Sequence, residues 1–243
     1  MRTIRAIALR DLTSYFRSTT GYVVASAVLL LDGVLFYALA LGPGAGERLS
    51  GEALGSFFYS ASGLTAVAAA VLSARLIAEE RVTGTQVLLD TSPITDFHIV
   101  AGKFWAAYGF VSAITFVSLY LPLLVFVNGR ISFGHIAIGV LGLLLLGAAV
   151  TAIGLFASSL TSRPILAAAV GGGITAMLFL LWPLSQAVDP PLSRAFAALA
   201  IHGRHFATFQ AGILHLRDVT HYLAVTAFFL IAAVKALEAR RWS

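Results

Sequence analysis

The chain has no cysteine in its 243 residues, so neither a disulfide framework nor thiolate metal or redox chemistry is open to it. Charge is scarce too. Asp, Glu, Lys and Arg make up 11% of the residues, against roughly a quarter in an ordinary soluble domain. No G-x-x-x-x-G-K-[ST] segment occurs, and the one Gly-Lys pair, Gly102-Lys103, runs straight into Phe104. The chain therefore brings no P-loop of its own for ATP. H-E-x-x-H and G-x-S-x-G are missing as well, which leaves an enzyme reading little to stand on. The start, "MRTIRAIALRDLTSYFRSTTG", lacks a compact apolar core ahead of a small-residue cleavage site, so no cleavable signal peptide is expected. There is no internal repeat and no low-complexity tail.

What is present is oil, in blocks. Hydrophobic residues reach 59%, and the mean hydropathy is +0.91. Six blocks run at Tyr22–Leu41, Leu54–Ile77, Phe104–Val127, His135–Leu160, Ile165–Leu184 and Val219–Leu237. Each approaches the ~20 residues that a bilayer core demands of a helix. The expectation is an all-α membrane protein with six spans in one domain, residues 21–243, preceded by an interfacial helix over 1–20.

An even number of spans puts both termini on one side. That side carries Arg2, Arg5, Arg10, Arg17, Arg75, Arg81, Lys103, Arg163, Lys235, Arg240 and Arg241; the other has only Arg48, Arg130, Arg194, Arg204 and Arg217. The positive-inside bias then predicts cytoplasmic termini. In the first seventeen residues Ile4, Ala8, Leu9, Leu12, Tyr15 and Phe16 share one helical arc, and Arg2, Arg10, Thr13 and Arg17 the other. Such a helix can lie along a leaflet with its arginines at anionic headgroups, and Arg5, inside the apolar arc, has to snorkel. The competing reading is a plain charged flank that fixes topology.

The connectors differ in content. "GPGAGERLSGE" and "VNGRISFGH" are short turns without chemistry. The outer loop, about 185–218, carries Leu192, Phe196, Leu199, Gly203 and Phe206 at steps of four and three, the period of an amphipathic helix. His202, His205, His215 and His221 gather there, with His202 and His205 one turn apart on such a helix. No obvious carboxylate or thiolate completes a metal set, so no metal is assigned.

Two features lie inside the spans. Asp32 falls in "VLLLDGVLFY", where an ionised group costs roughly 2.5–3.5 kcal/mol. It is either an intramembrane functional residue or a buried carboxyl bonded to Ser or Thr of a neighbouring helix. Ala167, Gly171 and Thr175 form a small-xxx-small row for close packing, within the chain or between two chains. Trp182-Pro183 reads as the stop of that span.

The connector from Arg75 to Trp105 is the richest stretch. Thr83 and Gln86 fit a capping box, so a helix is predicted from there to about Thr91. Gln86 and Asp90 give it a narrow polar stripe; Val87, Leu88, Leu89 and the methyls of Thr85 and Thr91 cover the rest. Ser92 then reads as the N-cap of the next helix and Pro93 as its first residue, with Asp96 in the first turn. The whole is a helical hairpin, about 78–103, with an apolar tip. An exposed apolar helix either folds onto headgroups or docks in a partner's groove.

Glu79-Glu80, Gly84-Thr85, Val87-Leu88-Leu89, Ser92-Pro93 and Gly102-Lys103 together resemble the signature of type 2 ABC exporter permeases. Gln86 stands where the family usually has an acidic residue. The end, "GILHLRDVTHYLAVTAFFLIAAVKALEARRW", is similar to the gliding-motility and nitrous-oxide-reductase-maturation branch. The resemblance covers nearly the whole chain. It implies a bacterial or archaeal plasma-membrane permease paired with a second permease chain, identical or paralogous. It also implies a separate cytosolic P-loop ATPase, which carries the ATP and Mg, docked on a coupling helix at 84–92. In that picture Glu79, Glu80 and Arg81 shape the charge around the dock, Val87, Leu88 and Leu89 make the buried contact, and no nucleic acid is involved. The alternative is a scaffold that transmits force through the same coupling. A secondary transporter would need more intramembrane charge than Asp32 provides.

Overall fold

A computed structural model describes residues 2–40, 50–84, 94–128 and 132–240. Among these residues the chain is helical, with no strand. In chain order the helices are α1 (Arg2–Arg17), α2 (Thr19–Ala40), α3 (Ser50–Ala74), α4 (Ala78–Val82), α5 (Asp96–Ser118), α6 (Tyr120–Asn128), α7 (Phe133–Leu160), α8 (Pro164–Gln186), α9 (Leu192–Leu199), α10 (Arg204–Gln210) and α11 (Leu216–Arg240). Six stretches are long and apolar enough to cross a bilayer: Thr19–Leu39, Gly51–Val82, Asp96–Leu124, Phe133–Leu160, Pro164–Gln186 and Leu216–Arg240.

The bundle is built around α7 and α3. The most apolar windows of these two spans are 72% and 67% buried, against 17–22% for those in α2, α8 and α11, which present their apolar sides outward. In lipid there is no water to drive helices together, so close packing and hydrogen bonds do that work. Small residues on α7 permit it. The Phe58 ring lies where a side chain at Gly139 would sit, and the hydroxyl of Ser73 does the same at Gly154. On α8 the row Ala167, Gly171 and Thr175 is buried, with Gly171 against Gly154 and Ala157 of α7. The row therefore packs within the chain. Small residues left uncovered between α3 and α8 form an apolar groove of about 550 Å³.

Prolines shape two spans. Pro122 follows the junction of α5 and α6, and its ring displaces the bond that the Ser118 carbonyl would otherwise accept. At this break the Ser118 hydroxyl donates to Asp32 Oδ2 at 2.7 Å. Asp32 is 3% exposed, faces the protein, and has no cationic partner among the described residues. Pro183 does not stop its helix as expected: α8 continues to Gln186, because a proline near a C-terminus disturbs only one turn.

The outer loop also differs from its sequence reading. One amphipathic helix was expected; two short ones form. Ala200 is extended and Gly203 takes φ +70°, which ends α9 and restarts the chain as α10 in a new direction. The apolar stripe is thereby divided. Leu192 and Leu199 on α9 are exposed, while Phe206 and Phe209 on α10 are fully buried in the bundle end. The same break separates His202 from His205. His202 accepts or donates at 2.8 Å to Ser62 and is stacked between Phe179 and Phe206. Burial holds it below the usual imidazole range, so it is neutral at pH 7. His205 instead bonds Asp218 at 2.7 Å and stacks on His221. Among the described residues no group of three or more His, Asp or Glu is placed to hold a metal ion.

Candidate functional site

The end of the bundle that carries both termini is held by α4, a five-residue helix too short to be stable alone. Its neighbours stabilise it. The first backbone N–H groups of a helix lack partners; here the Ile77 and Ala78 N–H groups both donate to Ser158 Oγ of α7 at 3.0 Å. The last carbonyls of α7 have the complementary need, and Arg81 of α4 donates to the Ser159 and Thr161 carbonyls at 3.0 and 3.2 Å. Arg240, at the end of α11, donates to the Leu160 carbonyl. So α4 and α7 cap one another, and the C-terminal helix closes the same corner.

At its far end α4 stops by a glycine. Thr83 is the C-cap, with its hydroxyl on the Glu79 carbonyl at 3.0 Å, and Gly84 follows at φ +73°. This is the physical use of the glycine in the Gly84-Thr85 pair. The predicted coupling helix follows at once; Thr85, Val87, Leu88, Leu89, Ser92 and Pro93 lie outside the described residues. The chain returns at Ile94. Thr95 is extended, takes the N-cap position of α5 and bonds the His98 ring at 2.6 Å, and α5 begins at Asp96.

Four charges join the hairpin to α1. Lys103 Nζ is 2.8 Å from Glu80 Oε2 and 3.2 Å from Asp11 Oδ2, with only 2% of its side chain exposed. Arg10 closes the ring, at 2.9 Å from Glu80 and 2.7 Å from Asp11. The hydrogen bond to Asp11, with the charges of Asp11 and Glu80, pushes the Arg10 guanidinium above its ordinary range. Arg75 bridges Glu79 and the Thr20 hydroxyl, both at 2.9 Å. A cavity of about 270 Å³ lies among these groups.

The expected charge rim thus divides. Glu79 is half exposed and held by Arg75. Glu80 is 17% exposed and turned inward as the hub of the ring. The sequence reading missed Asp11 and Arg10 as its other members. Their signal was an acid on an otherwise basic segment, facing the same way as Ile7.

The Gly102-Lys103 pair has one function here. Lys103 supplies the buried cation, and Gly102 lets α1 approach. A side chain at Gly102 would stand 2.7 Å from Ile7 and 3.3 Å from the Ile4 carbonyl. Further along, Tyr15 stacks on Phe110 and its hydroxyl donates to the Leu72 carbonyl at 2.9 Å, and burial pushes that phenol well above its usual range. Gly102→Ala is expected to cost about 1–3 kcal/mol through overpacking. It should show first as faster trypsin cleavage at the arginines of α1, with the remaining spans unchanged.

The described residues thus combine six apolar spans with a short helix locked to the bundle at the hairpin. A comparison with known families places this arrangement. Residues 11–239 match the family described as ABC-2 family transporter protein. The chain matches none of the curated proteins. The protein is a multi-pass membrane permease and belongs to the ABC-2 transporter family.

Proposed function

We propose that this chain is the membrane-spanning half of an ABC exporter whose ATP and Mg sit on a separate P-loop ATPase. Both termini and α4 face the cytoplasm of a bacterial or archaeal cell, and the ATPase docks on residues 84–92. Two permease chains pair about a two-fold axis, with the solute path between them. The observation that carries this reading is the locking of α4. The short helix leading into the docking segment is bonded to α7, α5 and α1 at once. A push on 84–92 is therefore delivered to three elements rather than absorbed in a loop. ATP drives the permease only if the ATPase holds its two states with different affinity. Glu79, exposed at the base of the hairpin, offers a carboxylate to a basic rim on the ATPase. Ala167, Gly171 and Thr175 keep α8 tight on α7 so that the push reaches the outer half.

The absence of cysteine gives a direct test. Val82 is 65% exposed, two residues before the docking segment. A photo-crosslinker on Val82→Cys in native membranes should capture a P-loop ATPase, and the same reagent on Leu214→Cys, exposed at the opposite end, should not. Capture from Leu214→Cys alone would reverse the orientation, and capture from neither would remove the ATPase from this site.

A further inference from the structure

Two imidazole lone pairs are buried without a donor at the end of the bundle opposite the termini. His205 of α10 and His221 of α11 stack with ring centroids 4.0 Å apart and planes 7° from parallel. A neutral imidazole has one N–H and one lone pair. His205 is 4% exposed and gives its Nδ1 proton to Asp218. The His221 ring bonds the Ala200 carbonyl, and its Nε2 has no partner, so its proton is on Nδ1 as well. Both Nε2 atoms are thus left buried, with no partner among the described residues. Rings bonded outward in this way resemble metal ligands. A metal ion lies in the plane of each ring that binds it, however, and parallel planes 4.0 Å apart do not meet. What two bare lone pairs can take is a proton.

That proton has no good place in the closed arrangement. On either Nε2 it makes a buried N–H without an acceptor, on a charged ring pressed against its neighbour. The other titratable and charged groups around the pair do not relieve it. Asp218 already accepts from His205, the Thr208 hydroxyl and Arg217. Tyr222 turns its hydroxyl to the Ile201 carbonyl. His135 of α7 is spent on the Gln210 carbonyl, and His202 on Ser62 of α3. We propose that the His205–His221 stack is a proton-sensitive latch, which holds α10 on α11 and lets it go on acidification. α10 covers the bundle end: Phe206 is fully buried, and the Phe209 ring fills the space that a side chain at Gly142 of α7 would need. Its release opens this end of the spans. The sign follows from linkage. The separated rings accept a proton near the ordinary imidazole value of about 6.5, and proton uptake favours that state. Closure is therefore complete above that pH and weakens below it, by up to about tenfold per unit for one proton. The latch stands on α10 and α11, so it and the ATPase dock can fail independently; on the proposed orientation it reads the pH of the outer face.

The test is hydrogen exchange on the purified full chain at about pH 7.5 and about pH 5.5, one unit either side of that value. Rates are corrected for the intrinsic pH dependence of exchange. Protection of the amides at 204–210 should fall about tenfold from the higher pH to the lower, while those of α7 keep theirs. His215→Gln, at an exposed ring, should leave this response unchanged. His205→Asn with His221→Phe keeps a donor for Asp218 and an aromatic ring beside it but no imidazole, and should be flat. No response in wild type, or a response that survives in the double variant, overturns the proposal. A second readout needs no variant. Nitrogen NMR of the histidine-labelled wild type at the higher pH should show at least two of the six rings protonated on Nδ1 alone. Fewer than two overturns it as well.

Discussion

Lys103→Met is expected to detach α1 and to abolish ATP-coupled transport while the six spans stay inserted. The methionine fills the same volume, so packing is kept and only the charge is lost. Asp11 and Glu80, 14% and 17% exposed, are then left to share Arg10, whose own side chain is half in water. Removing one partner from a buried ionic cluster costs about 3 kcal/mol, because the remaining charges stay desolvated. Trypsin cleavage within α1 should rise with the loss of transport. The double variant Lys103→Met with Glu80→Gln should recover about 1 kcal/mol relative to the sum of the single changes, since Arg10 and Asp11 then balance alone. Strict additivity would mean that the ring is a surface decoration and not a joint.

Asp218→Ala is expected to free the opposite end of the bundle without touching the coupling end. Asp218 is fully buried and accepts from His205 at 2.7 Å, Thr208 at 2.8 Å and Arg217 at 3.2 Å. Two of these donors sit on α10, so the carboxylate is what holds α10 to α11. Its removal leaves the buried His205 ring without its acceptor, at about 1–3 kcal/mol, while Thr208 keeps the His205 carbonyl and Arg217 is half in water. Hydrogen exchange should rise across residues 204–210, where Phe206 and Phe209 are otherwise locked in the bundle end. Asp218→Asn keeps one acceptor and should show a smaller rise. Unchanged exchange in the alanine variant would show that aromatic packing alone holds the cap.

The spans were legible because a bilayer forces every backbone group into a helix and makes hydropathy nearly sufficient. The small row on α8 was legible for the same reason: only close packing needs Ala167, Gly171 and Thr175 on one face. The ion ring was not. Asp11, Glu80 and Lys103 are distant in sequence, and nothing in a periodicity joins them. Gly102-Lys103 was visible as a motif, but its reason, an approach by Ile7, appears only when α1 is placed. The outer loop misled because a 3-and-4 spacing cannot show that Gly203 adopts a left-handed turn. Ser92-Pro93 lies outside the described residues; the start of α5 at Asp96 rests on a bond between Thr95 and the His98 ring that no periodicity shows.

On the proposed function, residues 84–92 receive a separate ATPase. The most direct measurement is affinity purification of the tagged chain from native membranes in mild detergent, beside Leu88→Asp, with every co-purifying protein identified. A carboxylate in a buried apolar contact cannot be compensated there. A soluble P-loop ATPase bound to wild type and lost from Leu88→Asp is the result expected. The same ATPase bound equally to both, or to neither, would contradict it.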